Sequence, residues 1–120
     1  MYAILCVSQE PNTLHSVTLV LRSRGYICIS AESAEEAEGA FAGSGADLVI
    51  LDHALPGSES LAQSLKSQRE VPIIMLAGLS DVLPTMGFVD LLCPKPVNGH
   101  EILREVDSFL GGKRKVAGER

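Results

Sequence analysis

The stretch Asp47-Leu48-Val49-Ile50-Leu51-Asp52-His53-Ala54-Leu55-Pro56-Gly57 decides the fold. Four apolar residues run without interruption into a carboxylate, Asp52, and a Pro-Gly turn follows. A strand with one wet face alternates apolar and polar residues. A short run apolar on both sides is a central strand of a parallel sheet, covered by helices on both faces. Ligand and reaction sites of open α/β sheets lie at the carboxyl ends of such strands, so Asp52 is the first candidate functional residue.

Working outward, four further apolar runs read as strands: Tyr2 to Val7, Tyr26 to Ile29, Val71 to Leu76 and Phe88 to Cys93. Helical patterns lie between them. Pro11 opens a helix with Leu14, Val17 and Leu21 at helical spacing, Arg22 and Arg24 in its last turn and Gly25 as its stop. Ser33-Ala34-Glu35-Glu36 is a capping box that opens a helix with Ala34, Ala37 and Phe41 on one face, ended by Gly43-Ser44-Gly45. Leu61 and Leu65 mark a short helix after Pro56-Gly57. Asn98-Gly99-His100-Glu101 is a second capping box, with Ile102, Val106 and Phe109 lining a last helix that Gly111-Gly112 stops. Between the fourth and fifth strands, Pro84 and Gly87 interrupt the helical turn that Asp81, Val82 and Leu83 begin, so a helix there is shortened or irregular. Strands alternating with helices give a doubly wound parallel sheet. Right-handed crossovers bring Ser8, Gln9, Glu10, Asp52, Ala77 and Lys95 to one crevice.

The composition is that of one soluble domain: 120 residues, 46% hydrophobic and 21% charged. No apolar run is long enough to span a bilayer and no secretory signal opens the chain. Cys6, Cys28 and Cys93 lie in apolar runs without CxxC spacing, which reads as small buried hydrophobes in a reducing cytoplasm. Residues 1–112 carry six Lys/Arg against fourteen Asp/Glu, and residues 113–120 carry four against one, so the −5 total divides into −8 and +3. An acidic body argues against nucleic-acid binding by the domain at 1–112; residues 113–120 read as a basic tail or the start of a linker.

Taken in order and spacing, these pieces resemble a response-regulator receiver (CheY-like) domain of bacterial two-component phosphorelay signalling. The resemblance is carried by Ile4 to Val7 with Glu10-Pro11, Arg24-Gly25-Tyr26, Ala31 to Ala37, Asp47 to Asp52 with Leu55-Pro56-Gly57, Val71 to Leu76, and Lys95-Pro96. It implies a flavodoxin-like five-stranded sheet in the order 2-1-3-4-5, and a phosphoryl group passed from a histidine kinase to Asp52. It also implies an acidic pair after the first strand that helps hold Mg2+, a phosphate-contacting lysine after the fifth strand, and a hydroxyl after the fourth. Lys95 matches the lysine, and its bond to Pro96 is typically cis in the family. The acidic pair is replaced by Ser8 and Gln9, the hydroxyl by Ala77, and the aromatic of the fifth strand by Leu92. Asp52 to Ala77 spans 25 positions and Ala77 to Lys95 spans 18, each a few short of the usual receiver spacing, so the output face between the fourth strand and the last helix is remodelled.

The expectation is an atypical, non-enzymatic receiver that acts by protein–protein contact, with a kinase or downstream effector as partner and a homodimer as one form. Asp52 and Gln9 are the candidate metal ligands, but one carboxylate beside neutral Ser8 and Gln9 carries little charge for Mg2+, so the cofactor is none or weakly bound Mg2+. Lys95 is then the counter-ion of Asp52 before it is a phosphate ligand. Glu10 reads as an acid at a helix N-terminus. His53 should point to the face opposite Asp52. Glu32, Glu35, Glu36 and Glu38 read as a solvated helix face, and Met75 and Met86 as packing. A working receiver phosphorylated on Asp52 is the alternative. A small-molecule-binding α/β module is a third reading, without GxGxxG or P-loop support.

Overall fold

Leu48–Asp52 forms a strand buried at every position, the centre of a five-stranded parallel sheet. The computed structural model describes residues 2–78, 89–95 and 98–111. In chain order the strands are β1 (Ala3–Val7), β2 (Ile27–Ala31), β3 (Leu48–Asp52), β4 (Ile73–Ala77) and β5 (Leu91–Pro94). They pair in the order β2-β1-β3-β4-β5, as expected. The α-helices among the described residues are α1 (Pro11–Ser23), α2 (Ala34–Ser44), α3 (Ser58–Gln68) and α4 (Gly99–Val106), the last continuing into a π-helical turn at Asp107–Gly111. The expected shortened helix before β5, along with Met86, Gly112 and the basic tail, lies outside the described residues.

The period-two geometry of strands divides the core. Leu5, Val7, Val49, Leu51, Ile73 and Met75 face α2 and α3, joined by Ala37, Phe41, Leu61 and Leu65. Ile4, Cys6, Leu48, Ile50, Ile74 and Leu76 face α1 and α4, joined by Val17, Leu21, Ile102 and Val106. In β1, β3 and β4 odd and even residues each meet a helix layer, which requires apolar residues along them, whereas the edge strand β2 leaves Ile27 and Ser30 exposed.

The caps explain where helices begin and end. Ser33 Oγ accepts from the Glu36 amide at 3.1 Å, and Asn98 Oδ1 accepts from the amides of His100 and Glu101 at 2.9 and 3.2 Å. Gly45 ends α2 at φ 68°, where a side chain is disfavoured. The first box differs from the expected form: the Glu36 carboxylate receives the Glu32 amide, one residue before the cap.

Other boundaries move. β2 runs to Ala31 and β4 starts at Ile73, not Val71. β5 begins at Leu91, because Asp90 closes the ladder, and Phe88, where the apolar run starts, lies outside the described residues. The Asp90 carboxylate accepts from the Ile73 amide at 2.8 Å and from Lys66 Nζ at 2.7 Å. α3 has eleven residues, as many as α2, so it is not a short helix. The last helix widens into the π-turn, which ends at Gly111, and there the Asp107 carboxylate accepts from both the Arg24 guanidinium and the Tyr26 hydroxyl. Cys28 and Cys93 are half-buried rather than core residues; Cys6 alone is fully buried.

Candidate functional site at the carboxyl ends of the strands

Parity along the strands builds the site. Cys6 lies opposite Ile50 and Val7 opposite Leu51, so the next residues in register are Ser8 and Asp52. Both continue the even-numbered series that faces α1 and α4. Lys95 continues the series of Leu91 and Cys93 on β5, which packs on that same side. Three side chains thus leave three strand ends in one direction.

They meet on Asp52, which is 1% exposed. Ser8 Oγ donates to Asp52 Oδ2 at 2.8 Å. Lys95 Nζ lies 2.7 Å from Asp52 Oδ1, and the Ala54 amide donates to that oxygen at 3.0 Å. A buried carboxylate is costly unless paired and hydrogen-bonded, and here both oxygens are engaged. The Ser8 hydroxyl is held from a second side, because it also accepts the Glu10 amide at 3.0 Å.

Glu10 stands at the N-cap of α1, the helix end expected of it, although its side chain makes no cap hydrogen bond. It accepts from the Thr13 hydroxyl at 2.8 Å and sits 3.6 Å from Lys95 Nζ. Lys95 therefore lies between two carboxylates, one buried and one exposed. Burial alone favours its neutral amine; the hydrogen bond to Asp52 and the charges of Asp52 and Glu10 outweigh that and raise its pKa above the ordinary lysine value.

The remaining sequence candidates fall around this centre. Ala77 is buried, and its carbonyl accepts the Lys95 amide at 2.9 Å, so it offers backbone rather than a side-chain hydroxyl. Gln9 is exposed. His53 does turn away from Asp52, with Nε2 3.3 Å from Glu59 on α3. Leu92 packs on the α2–α3 side, and Glu32, Glu35, Glu36 and Glu38 are exposed. Missed from sequence were the Ser8 hydrogen bond, the Ala54 amide and the approach of Glu10 to Lys95. The parity of Ser8 and Asp52 carried the first of these.

Among the described residues, no group of three or more His, Cys, Asp or Glu is arranged to hold a metal ion. Mg2+ takes near-octahedral oxygen ligands, usually with one or two carboxylates. The carboxylate here is shared by a hydroxyl, an amide and an ammonium group, a donor set that fits Mg2+ poorly. A separate cleft of about 280 Å3 lies between β5 and α4, lined by Leu91, Leu92, Ile102, Glu101 and Glu105 among others. No helix of the described residues is long and apolar enough to cross a membrane.

No protein-family model matches the sequence. The protein named "Probable transcriptional regulator ycf27" of Porphyridium aerugineum is 37% identical over 113 residues, covering 89% of this chain and 47% of the relative. The response regulator receiver domain protein (CheY-like) of Methanospirillum hungatei superposes with a TM-score of 0.86 at 24% identity, over 96% of this chain and 98% of that one. The BeF3-activated receiver domain of DrrB superposes with a TM-score of 0.79 at 27% identity, over 92% of this chain and 98% of that one. Over nearly its whole length the chain is similar to response-regulator receiver domains and shares their fold. It spans about half the length of the curated relatives it matches.

Proposed function

We propose that this receiver domain is an atypical one. It signals in the cytoplasm by protein–protein contact, without catalytic activity of its own, and Asp52 serves as a structural anion rather than a routine phosphoryl acceptor. The observation that carries this reading is the closure of Asp52: 1% exposed, with Ser8 on one oxygen and Lys95 and Ala54 on the other. Phosphoryl transfer to a carboxylate brings two anions together, and metal ions ordinarily offset that charge. At the position where a second acid would help hold such an ion stands Ser8, whose hydroxyl instead donates to Asp52. The partners are a histidine kinase or a downstream effector, or a second copy of the chain, with no nucleic acid bound by this domain itself.

The test is a titration of the protein with Mg2+ and beryllofluoride, a phosphoryl mimic, followed by amide NMR. The reading expects the Ser8, Ala54 and Lys95 resonances to stay in place. A saturable shift at those amides, lost in Asp52→Asn, would restore an ordinary phosphorylatable receiver.

A further inference from the structure

The edge strand β5 carries three apolar side chains in succession, Leu91, Leu92 and Cys93, each only half-buried. It pairs with β4 on one side, and no described strand lies on its other side. These three residues, with Ile102 of α4, give the cleft of about 280 Å3 an apolar lining. The α4 side is charged. Glu101 and Glu105 stand four residues apart on the helix, so they share one face, and like charges at that spacing repel. Among the described residues neither carboxylate forms an ion pair. Arg104 also lines the cleft, one cation against two carboxylates. The carboxylates reach the β5 side: besides burial, it is Glu105 and Glu101 that raise the Cys93 pKa. Apolar lining beside two carboxylates fits a segment in which cations adjoin small apolar residues.

Such a segment follows the same helix. After Gly111-Gly112 come Lys113-Arg114-Lys115-Val116-Ala117. They belong to the stretch with a balance of +3, against −8 for residues 1–112. The lengths match as well. At ~1.5 Å per helical residue, Glu105 and Glu101 lie about 9 and 15 Å back from Gly111. Extended backbone covers at most ~3.6 Å per residue, so a chain that doubles back places Lys115 up to about 14 Å from Gly111. Two successive glycines permit that reversal without steric cost. Lys113 and Arg114 then come level with Glu105, and Lys115 with Glu101.

We propose that the segment 113–117 docks in the cleft between β5 and α4 as an intramolecular cover, its cations against Glu101 and Glu105 and its apolar residues against Leu91, Leu92 and Cys93. The cover makes this face available to another protein only when the segment is displaced. It is independent of protein concentration, and salt weakens it, because its ion pairs lie at the surface. It does not depend on whether Asp52 accepts a phosphoryl group.

Cys93 is the reporter. The full chain is labelled with limiting iodoacetamide, and the Cys93 adduct is followed by peptide mass spectrometry. Lys113→Gln/Arg114→Gln/Lys115→Gln should label several-fold faster at Cys93 than the parent, and the parent should gain in rate at high salt. Nearby cations favour the thiolate, so their loss alone would slow the reaction; faster labelling therefore reports uncovering. Glu101→Lys/Glu105→Lys should also label fast, and adding Lys113→Glu/Arg114→Glu/Lys115→Glu to it should slow labelling again. A zero-length carbodiimide should join Lys113 or Lys115 to Glu101 or Glu105 in the parent, with a yield that dilution leaves unchanged. Cys93 labelling that is unchanged or slower in the triple Gln variant would overturn the proposal. So would protection or cross-linking that grows with protein concentration alongside dimers in sedimentation, which would put a second copy in the cleft.

Discussion

Replacing Lys95 with Met tests the charge arrangement at the strand ends. Asp52 is 1% exposed, whereas the Lys95 side chain retains 19% of its exposure. Removing one partner of a buried pair costs about 3–5 kcal/mol, because the other charge is left buried without compensation. Two features moderate that here: solvent reaches the amine, and Ser8 and Ala54 still donate to the carboxylate after Lys95 is gone. The expected loss for Lys95→Met is therefore about 2–3 kcal/mol. At about 4 °C per kcal/mol for a domain of this size, the melting temperature falls by about 8–12 °C. Asp52→Asn should cost less, about 1 kcal/mol, because the amide can still accept from Ser8 or Ala54 and Lys95 keeps Glu10 at 3.6 Å. The double variant should lose less than the sum, with a coupling of about 1 kcal/mol or more. Urea unfolding of the four proteins at neutral pH measures all three quantities. A Lys95→Met loss within about 0.5 kcal/mol of zero, the range of neutral surface changes, would refute the reasoning.

Ser8→Asp should place a second carboxylate against Asp52 and lower metal-free stability by about 1–3 kcal/mol, while Mg2+ raises the melting temperature of the variant and not of the parent; thermal scans with and without Mg2+ check both. Gly99→Ala brings a new Cβ to 2.6 Å from Val20 Cγ2 where α4 crosses α1, and should cost about 1–3 kcal/mol, relieved in the Gly99→Ala/Val20→Ala pair; urea midpoints decide. The Lys66 side chain is 13% exposed; its desolvation is outweighed by Asp90 and Glu70, so its pKa is raised. A raised folded-state pKa gives stability that is full below the unfolded lysine value of about 10.4 and is lost as pH rises through the folded value. Parent and Lys66→Met should therefore converge in stability above that pH and separate below it; a gap constant from neutral to strongly alkaline pH would contradict this.

Much of the fold was legible because parallel strands buried on both faces leave a strong mark. Leu48 to Asp52 could be nothing else, and the runs at β1 and β4 followed the same rule. The edges were less legible. β5 starts late because the Asp90 side chain occupies the position before it, and no apolar pattern carries that information. The π-turn depends on Asp107 finding Arg24 and Tyr26, which are more than eighty positions away. At the site, strand ends located Asp52 and Lys95, and Ser8 and Gln9 were seen to stand where the resemblance implies an acidic pair. What sequence could not give was direction. Ser8 read as polar lining until its register opposite Asp52 made it a donor. Glu10 is the helix-end acid that it read as, but only the fold brings its carboxylate beside Lys95 as well.

The most direct test of the central claim is the intact mass of the protein after incubation with Mg2+ and a small phosphodonor such as acetyl phosphate. A closed Asp52 predicts that the unmodified mass persists. A stoichiometric phosphoryl adduct, abolished by Asp52→Ala, would contradict the account and return Asp52 to service as a phosphoryl acceptor.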